Sequence, residues 1–382
     1  MNINEWLENN SNIESVNVAT PDLNGVLRGK NISSSQLYKI QNGDFRMPFS
    51  VQNLDIWGRD IEGSSWVFET GDIDANCIWT GRGPLPINWL KKQTALIPVS
   101  LSLDDGSAFK GDPRSFLKQI MRKYEEKNLK VVVGVELEFY IFEKNKFDNN
   151  KDNLEIENAY SINEIDINEE FFHEVKRSCE AQEISIVSSV SECGQGQFEI
   201  VLNHNDNLVK VADDIIFLKY LIKGIAQKNQ LKASFMPKPT IDGSGSGLHV
   251  HISIWDQNNY NIFNNETETG SESLMFALGG LMKMIPGMNK IDDGMLKSGE
   301  EQLKRIEAMI GSMTMEERTQ PELLAAQPTR RKRVAFGSGH TPAEVDKVLA
   351  DFQKMRGLMK QMSSGAGMPG MPGMPGMPGM PG

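Results

Sequence analysis

The first 280 residues contain short stretches in which apolar and polar residues alternate, which is the pattern of a half-buried β-strand. These stretches predict strands at Ser15–Thr20, Ser65–Glu69, 131–142 and 248–253. Longer stretches repeat apolar residues every three or four positions and predict helices. The first helix is capped by Asp112-Pro113, and its apolar stripe consists of Phe116, Leu117, Ile120, Met121 and Tyr124. Strands that alternate with helices predict an α+β fold.

Two of the predicted strands carry polar side chains on one face. Glu136 and Glu138 lie two positions apart in the apolar run VVVGVELEFYIF, and burying two like charges side by side is unfavourable unless a cation lies between them. In GSGSGLHVHIS, His249, His251 and Ser253 share a face. The glycines before them let backbone N–H groups approach a ligand. Imidazoles beside such a loop are typical of a metal and phosphate site.

A third polar group lies in the run SECGQGQFEI, where Glu192 and Glu199 flank a Gly-Gln-Gly-Gln turn. Carboxylates together with a histidine form a donor set that suits Mg²⁺ or Mn²⁺. Each pair of residues alone is also compatible with a solvent-exposed strand edge. The three groups together favour a metal site.

The order of these motifs resembles that of the glutamine synthetase superfamily: Glu-x-Glu, then GQGQFE, then Lys238-Pro239 and Gly-Ser-Gly-x-His-x-His-x-Ser. PDLNGVLRGK, at 21–30, is most similar to the branch that includes glutamate–polyamine ligases. The resemblance extends to about Gly280 and implies a β-grasp-like domain over 1–104 and part of a catalytic barrel over 105–277. It also implies ATP-dependent joining of glutamate to ammonia or an amine, with two divalent ions on the ATP phosphates.

The resemblance implies which residues hold the two ions. Glu138, Glu192 and Glu199 match the three carboxylate ligands of one ion. Glu136 and His249 match two ligands of the second ion.

The remaining motif residues match substrate contacts. His251 and Ser253 match nucleotide contacts, and Gly245 lies in the loop that holds glutamate. Beyond Ser253 the family has a further glutamate ligand, an acid on the ammonium side and several arginines, and this sequence does not continue with them. No complete catalytic set is therefore predicted, and the barrel is predicted to be truncated.

The composition of the chain changes near residue 280. Residues 281–382 carry 14 Lys and Arg against 11 Asp and Glu, a net charge of +3; the whole chain carries −11, so residues 1–280 carry −14. Of the 20 methionines, 15 follow residue 280, whereas asparagine occurs there only once, at Asn289. These differences place a seam between two sequences of different origin at Ala277–Leu281.

The sequence after the seam contains LGGLMKMIPGMNKI, SMTMEER, RRKRVAFGSG and HTPAEVDKVLADFQKMRGLMKQM. It resembles the methionine-rich M domain of the signal recognition particle protein. Arg330–Arg333 are four adjacent cations that we expect in a loop, where they would neutralise RNA phosphates. Thr341 and Glu344 form the sequence pattern of a capping box for the next helix.

This second resemblance implies a small all-α domain over 278–363 that binds particle RNA and apolar signal peptides. The residues it places on the RNA face are Ser312, Glu317, Arg330, Arg331, Arg333, Gly337, Ser338 and Gly339. It places 281–288 in a flexible finger loop. Unbranched methionines suit a groove for varied apolar peptides, although packing in a helical core is the alternative. The groove residues are Leu281, Met282, Met284, Met288, Met355 and Met359.

Three interpretations of the whole chain remain. The first is a catalytically incomplete ligase fragment fused to a domain that binds RNA and signal peptides. The second is an active ATP- and Mg²⁺-dependent glutamate–amine ligase, and the third is a recombined or mis-joined reading frame without a selected function.

The Gly-Met-Pro triplets of 364–382 predict a disordered tail. With three unpatterned cysteines and no apolar run long enough for a membrane span, a cytoplasmic protein is expected; it would not bind DNA, and a homo-oligomer is compatible with the ligase resemblance.

Overall fold

The computed structural model describes residues 5–6, 9–143, 159–239, 243–264, 270–284, 305–306, 308–319, 322–350 and 352. It divides the chain into two compact units, Met1–Ser271 and Glu272–Gly382. The first unit contains two sheets with helices, and the described part of the second contains helices. The cysteines Cys77, Cys179 and Cys193 are free thiols.

The first sheet is mixed. Its strands are β1 (Ser15–Pro21), β2 (Leu27–Ser33), β3 (Arg46–Pro48), β4 (Asp74–Trp79), β5 (Leu85–Pro86) and β6 (Thr94–Ser102). Their order is β2-β1-β6-β4-β3, and β5 pairs with β6. Strand β1 runs parallel to β6 and antiparallel to β2. The alternation in β1 buries Val16 and Val18 completely, and this burial on one face of the strand accounts for the alternating pattern that predicted it.

The second sheet carries the polar motifs. Its strands are β7 (Lys130–Glu143), β8 (Ile186–Ser191), β9 (Gln197–Asn205), β10 (Leu231–Ser234) and β11 (Leu248–Trp255). The order is β10-β7-β9-β8, and β11 also pairs with β7. Because β7 is 14 residues long, β10 and β11 pair with different halves of the same edge. Among the described strands, β11 pairs with β7 alone.

The described helices of the first unit are α1 (Tyr38–Gln41), α2 (Ser65–Phe68), α3 (Pro113–Glu125), α4 (Ile162–Ile167), α5 (Glu169–Ala181) and α6 (Leu208–Lys228). Helices α5 and α6 cover one face of the second sheet. Phe171 and Val175 of α5 and Leu221 of α6 pack with Leu137 and Ile200 of the sheet in one buried cluster. Since side chains alternate along a strand, the even-numbered residues of β7 lie on the opposite face. That face carries the candidate chemistry.

The second unit has a small core of its own. Its helices are α7 (Glu272–Met284), α8 (Met315–Thr319), α9 (Glu322–Ala326) and α10 (Pro328–Ser338), and residues 342–350 are also helical. The core contains Met309, Leu324, Val334, Ala335, Val345 and Leu349. The described part of this unit is therefore all-α. The capping box is confirmed, because Thr341 N–H donates to the Glu344 carboxylate at 2.8 Å and Glu344 N–H donates to Thr341 Oγ1 at 3.4 Å.

Two predictions for the first unit are wrong. Residues 65–68 form helix α2 rather than a strand, and Trp66 packs edge-on against Phe109 at 4.8 Å between ring centroids. The stripe of α3 is not a buried core, since Phe116 is 60% exposed. The buried residue of α3 is Arg114, which pairs with Asp213 at 2.7 Å. The N-cap is confirmed, because the Asp112 side chain accepts a hydrogen bond from Ser115 N–H at 2.8 Å.

Two predictions for the second unit are also wrong. Residues 281–284 belong to helix α7 and not to a finger loop. Arg330–Arg333 lie in helix α10 and not in a loop. Helix α10 has Pro328 in its first turn and buries Val334 and Ala335, so helix packing determines the conformation there. Met288, Met355, Met359 and the tail of 364–382 lie outside the described residues.

Candidate functional site

Strand pairing brings the three polar motifs onto one face of the second sheet. His249 of β11 lies opposite Glu136 of β7. On the other side of β7, Glu138 lies opposite Glu199 of β9. Glu192 follows β8 directly and donates its backbone N–H to the carbonyl of Gln197 at 2.9 Å. We call Glu136, Glu138, Glu192, Glu199 and His249 the carboxylate cluster.

Three carboxylates of this cluster converge on the His249 imidazole. Its Nδ1 atom lies 3.2 Å from Glu136 Oε2, 3.7 Å from Glu138 Oε1 and 3.9 Å from Glu199 Oε2. Ligand atoms of Glu136, Glu199 and His249 all lie within 4.8 Å of one another. This spacing allows one cation to contact several of these atoms after small rotations of the side chains.

Without a bound cation, burial and mutual repulsion disfavour the charged form of the carboxylates in this cluster. Glu138 and Glu199 are each only 8% exposed. Burial, followed by the charges of Glu136, Glu192 and Glu138, raises the pKa of Glu199, and the His249 imidazole opposes this. Burial and the charge of Glu138 raise the pKa of Glu192. A divalent cation would compensate these charges, and the oxygen-plus-imidazole donors fit a hard ion such as Mg²⁺ or Mn²⁺.

A glycine loop, residues 243–247, closes one side of the cluster. Gly247 N–H donates to Glu138 Oε2 at 3.0 Å, and its carbonyl accepts from Glu138 N–H at 3.2 Å. A Cβ atom on Gly247 would lie 2.8 Å from His249 Nε2 and 3.0 Å from Glu138 Oε1. The close approach of the loop to the cluster therefore requires glycine at this position.

The two residues matched to nucleotide contacts lie further along β11. His251 Nε2 is 3.1 Å from Glu136 Oε1, and Ser253 Oγ accepts from Trp255 Nε1 at 2.9 Å. Both residues line an open cavity of about 800 Å³ that also reaches Glu136. The cavity is large enough for a small organic ligand next to the carboxylate cluster.

His204 is a member of this face that the sequence did not indicate. The register between β7 and β9 shifts between Val133 and Val135, so that β9 has an extra residue there. As a result, the His204 Cβ lies 3.6 Å from the place where a Cβ on Gly134 would be, and the His251 Cβ lies 3.9 Å from it. Strict alternation from Glu199 would have directed His204 to the other face, and only the paired strands reveal the bulge.

In the second unit, two of the residues matched to the RNA face, Arg330 and Arg333, bind the buried carboxylate of a third, Glu317. Glu317 is 1% exposed and accepts hydrogen bonds from Arg333, from Arg330 Nη1 at 3.2 Å and from Thr314 N–H at 2.9 Å. Burial raises the pKa of Glu317, but the bonds from Arg333, Thr314 and Arg330 outweigh it and hold that pKa at about 2. Glu317 therefore stays ionised and fixes the two guanidinium groups.

The other matched residues lie around helix α10. Arg331 Nε pairs with Asp346 at 2.8 Å, and its Nη1 donates to the Leu324 carbonyl at 2.7 Å. Consecutive residues of a helix point about 100° apart, so Arg330, Arg331 and Arg333 do not form one flat patch. Ser312 lies beside Gly337, where a Cβ would be 3.1 Å from Ser312 Oγ. Ser338 ends α10, and Gly339 follows it in the left-handed conformation, with φ 73°.

Among the described residues, no helix is both long enough and apolar enough to cross a bilayer. For the matched groove residues Leu281, Met282 and Met284, the structure describes the helical backbone of α7 but not the side chains.

Two family models match the chain. Residues 110–298 match the glutamine synthetase catalytic domain, and residues 268–380 match the signal peptide binding domain. The two matches overlap over residues 268–298, which include helix α7.

Curated relatives cover the two parts separately. The chain is 29% identical to gamma-glutamylputrescine synthetase PuuA of Escherichia coli (strain K12), over 74% of this chain and 62% of the relative. It is 33% identical to glutamine synthetase of Pyrococcus abyssi, over 76% and 62%. Over 95 residues it is 60% identical to the signal recognition particle protein of Synechocystis sp., covering 25% of this chain and 20% of the relative. The chain thus spans less than two thirds of each of these relatives.

Solved structures share the fold. A GmaS/ADP complex matches with a TM-score of 0.61 and 21% identity, over 74% of this chain and 62% of that one. Plasmodium falciparum glutamine synthetase matches with a TM-score of 0.59 and 21% identity, over 74% and 60%. The mixed α and β fold of the first unit is therefore of the glutamine synthetase type. The chain thus joins a region similar to the glutamine synthetase catalytic domain to a region similar to the signal peptide binding domain of the signal recognition particle protein.

Proposed function

We propose that the first unit binds Mg²⁺ or Mn²⁺ at two places in the carboxylate cluster and binds ATP beside them. Glu138, Glu192 and Glu199 would hold one ion, and Glu136 and His249 the other. The observation that supports this is the convergence of Glu136, Glu138 and Glu199 within 3.9 Å of the His249 imidazole. Bound ions would neutralise the charge of a transferring phosphoryl group.

The chain's own residues would position the substrates. His251 and Ser253 border the cavity beside the cluster and would contact the nucleotide there. Gly245 lies in the glycine loop and would approach glutamate with its backbone. The loop excludes side chains from the cluster, since Gly247 leaves no room for a Cβ atom.

We further propose that this region binds its ligands without efficient ligation of ammonia, a polyamine or another amine. The catalytic-domain match ends at residue 298, and from residue 268 the chain matches a different family. Missing electrostatic stabilisers at a phosphoryl-transfer centre reduce rates by orders of magnitude.

Calorimetry with ATP in the presence of Mg²⁺ and a phosphate-release assay with glutamate together test this proposal. We expect saturable ATP binding that Glu199→Gln weakens by about tenfold or more, with no glutamate-dependent phosphate release above background. Brisk release that depends on glutamate and an amine would contradict the proposal and support an active ligase. Absence of ATP binding in the wild-type chain would contradict the proposed ATP site.

For the second unit we propose binding of signal recognition particle RNA and apolar signal peptides. The supporting observation is the buried Glu317, which holds Arg330 and Arg333 in fixed orientations. Pre-ordered guanidinium groups bind phosphates with a smaller loss of side-chain entropy. Filter binding of the particle's RNA hairpin at several salt concentrations tests this, and binding that does not change with salt would contradict it.

A further inference from the structure

The side-chain amide of Gln197 connects the carboxylate cluster to the glycine loop. Its Oε1 atom accepts from Gly194 N–H at 2.9 Å and lies 3.2 Å from the oxygen of the Tyr140 hydroxyl, whose single proton is directed to the Ser244 carbonyl at 2.7 Å. Its Nε2 atom donates to Glu138 Oε2 at 2.8 Å and to the Gly245 carbonyl at 2.9 Å. The residue is 2% exposed, and its amide oxygen and both amide hydrogens have hydrogen-bond partners.

The orientation of this amide is determined by partners that can act in only one way. A backbone N–H, such as that of Gly194, can only donate, and a backbone carbonyl, such as that of Gly245, can only accept. Exchanging the oxygen and nitrogen of the Gln197 amide would therefore place donor against donor and acceptor against acceptor. As a consequence, Glu138 Oε2 always faces an N–H group.

The two carboxylate oxygens of Glu138 therefore have different surroundings. Oε2 accepts from Gln197 Nε2 and from Gly247 N–H. Oε1 faces the centre of the cluster, 3.7 Å from His249 Nδ1. The hydrogen bonds orient the carboxylate, and Oε1 is the oxygen directed toward a cation.

The glycine loop is held by the same groups. The Tyr140 hydroxyl donates to the Ser244 carbonyl at 2.7 Å, next to the Gly245 carbonyl that Gln197 binds. A Cβ atom on Gly194 would lie 2.1 Å from the Tyr140 hydroxyl and 2.8 Å from Gln197 Oε1. The first glycine of the Gly-Gln-Gly-Gln turn therefore makes space for this network, which accounts for a motif that the metal ligands alone do not explain.

We propose that Gln197 is a positioning residue that couples cation binding at Glu138 to the ordering of the glycine loop. A cation that restrains Glu138 restrains Gln197 and Gly247, and through them the backbone of residues 243–247. Coupling between two sites is reciprocal, so a ligand that orders the loop also raises the affinity for the cation. The inference rests on the proposed cation site.

Hydrogen exchange of the full chain with and without Mn²⁺ tests the coupling. The chain offers a matched control, because Gln195 lies in the same turn and is exposed. In the wild type and in Gln195→Ala, Mn²⁺ is expected to slow exchange in a peptide covering 243–248 by about fivefold or more. In Gln197→Ala the slowing is expected to disappear, and the Kd for Mn²⁺ is expected to rise by about tenfold.

A second variant separates the two ends of the network. Tyr140→Phe removes the hydroxyl bound to the Ser244 carbonyl but leaves the bond between Gln197 and Glu138. Its loop protection should fall while its Kd for Mn²⁺ changes by less than about threefold. If Gln197→Ala does not fold, Gln197→Glu keeps the size of the side chain and removes the N–H donors, so it must also lose the coupling.

The outcomes distinguish the inference from the proposed function. Equal Mn²⁺-dependent protection in wild type and in the folded Gln197 variant would overturn the coupling and leave the cation site in place. A wild-type chain that does not bind Mn²⁺ saturably would overturn the cation site and the coupling together. A Gln195→Ala variant that loses protection as Gln197→Ala does would show that the turn, rather than the amide, is responsible.

Discussion

Two buried carboxylates, one in each unit, have opposite surroundings. Glu199 lies among other carboxylates, and burial together with their charges raises its pKa. Glu317 accepts hydrogen bonds from Arg330 and Arg333, and its pKa is about 2. A carboxylate that the chain's own cations compensate is part of the structure, whereas the repulsion at one that faces other carboxylates is relieved by a proton or by a cation from solution. Glu317 thus stabilises the structure of the second unit, whereas Glu199 belongs to a candidate cation site in the first.

The largest effect is expected from removing the internally compensated charge. Glu317→Gln should destabilise the second unit by about 3 kcal/mol, because two guanidinium groups lose their partner and a buried amide takes the place of the carboxylate. Urea unfolding followed by hydrogen exchange in helix α10 measures this loss. The neighbouring Glu316 is 62% exposed at its side chain, so Glu316→Gln is the control and should change stability by less than about 0.5 kcal/mol. Equal effects of the two variants would contradict the structural role of Glu317.

Adding a cation should stabilise only the unit with the uncompensated cluster. At a free concentration 100 times the Kd, Mn²⁺ should stabilise the first unit by about 2.7 kcal/mol. Glu136→Gln should remove most of this gain, since Glu136 is adjacent to both His249 and His251. Thermal unfolding with exchange readouts for each unit measures the two responses. A similar gain for both units would mean that Mn²⁺ acts nonspecifically.

The two carboxylates should give opposite pH dependences. The folded pKa of Glu317 is lowered from 4.5 to about 2, so its contribution is complete above pH 4.5 and is lost as the pH falls toward 2. The folded pKa values of Glu199 and Glu192 are raised above 4.5, so these groups stabilise the folded first unit most when protonated and lose that contribution as the pH rises above 4.5. Metal-free unfolding of each unit between pH 3 and pH 7 checks these signs. The same slope in both units over pH 5 to 7 would contradict the comparison.

The smallest effect concerns RNA. Lys332 is exposed on α10 and is not part of the Glu317 cluster, so Lys332→Ala should weaken hairpin binding and reduce the slope of log affinity against log salt by about 1, with stability unchanged. Lys347→Ala, in the helix of 342–350, makes the same charge change elsewhere and should alter the slope less. Equal slopes for wild type and Lys332→Ala would show that this side of α10 does not contact phosphate.

The sequence predicted which residues share a face but not how the strands pair. The alternation in VVVGVELEFYIF and LHVHIS was sufficient to group Glu136 with Glu138 and His249 with His251, because side-chain direction has a period of two. The register that places His249 opposite Glu136 and Glu138 opposite Glu199 joins distant segments and is not encoded locally.

Other features depended on packing that no local pattern reports. The bulge that turns His204 toward Gly134 arises from the register shift in β9. Four adjacent cations favoured a loop at 330–333, but the burial of Val334 and Ala335 against the core of the second unit selected a helix. Gln197 was visible only as part of a turn motif, and its function as a connector appears once Tyr140 and Glu138 are placed beside it.

The central claim is that the carboxylate cluster binds a divalent cation, and the imidazole signals of the five histidines test it most directly. Mn²⁺ is paramagnetic and broadens the resonances of nearby nuclei. At substoichiometric Mn²⁺ we predict that the imidazole signals of His249 and His251 broaden first. The signal of His173, on helix α5 across the sheet from the cluster, should stay sharp. Broadening of His173 together with His249, or no selective broadening at all, would contradict the account.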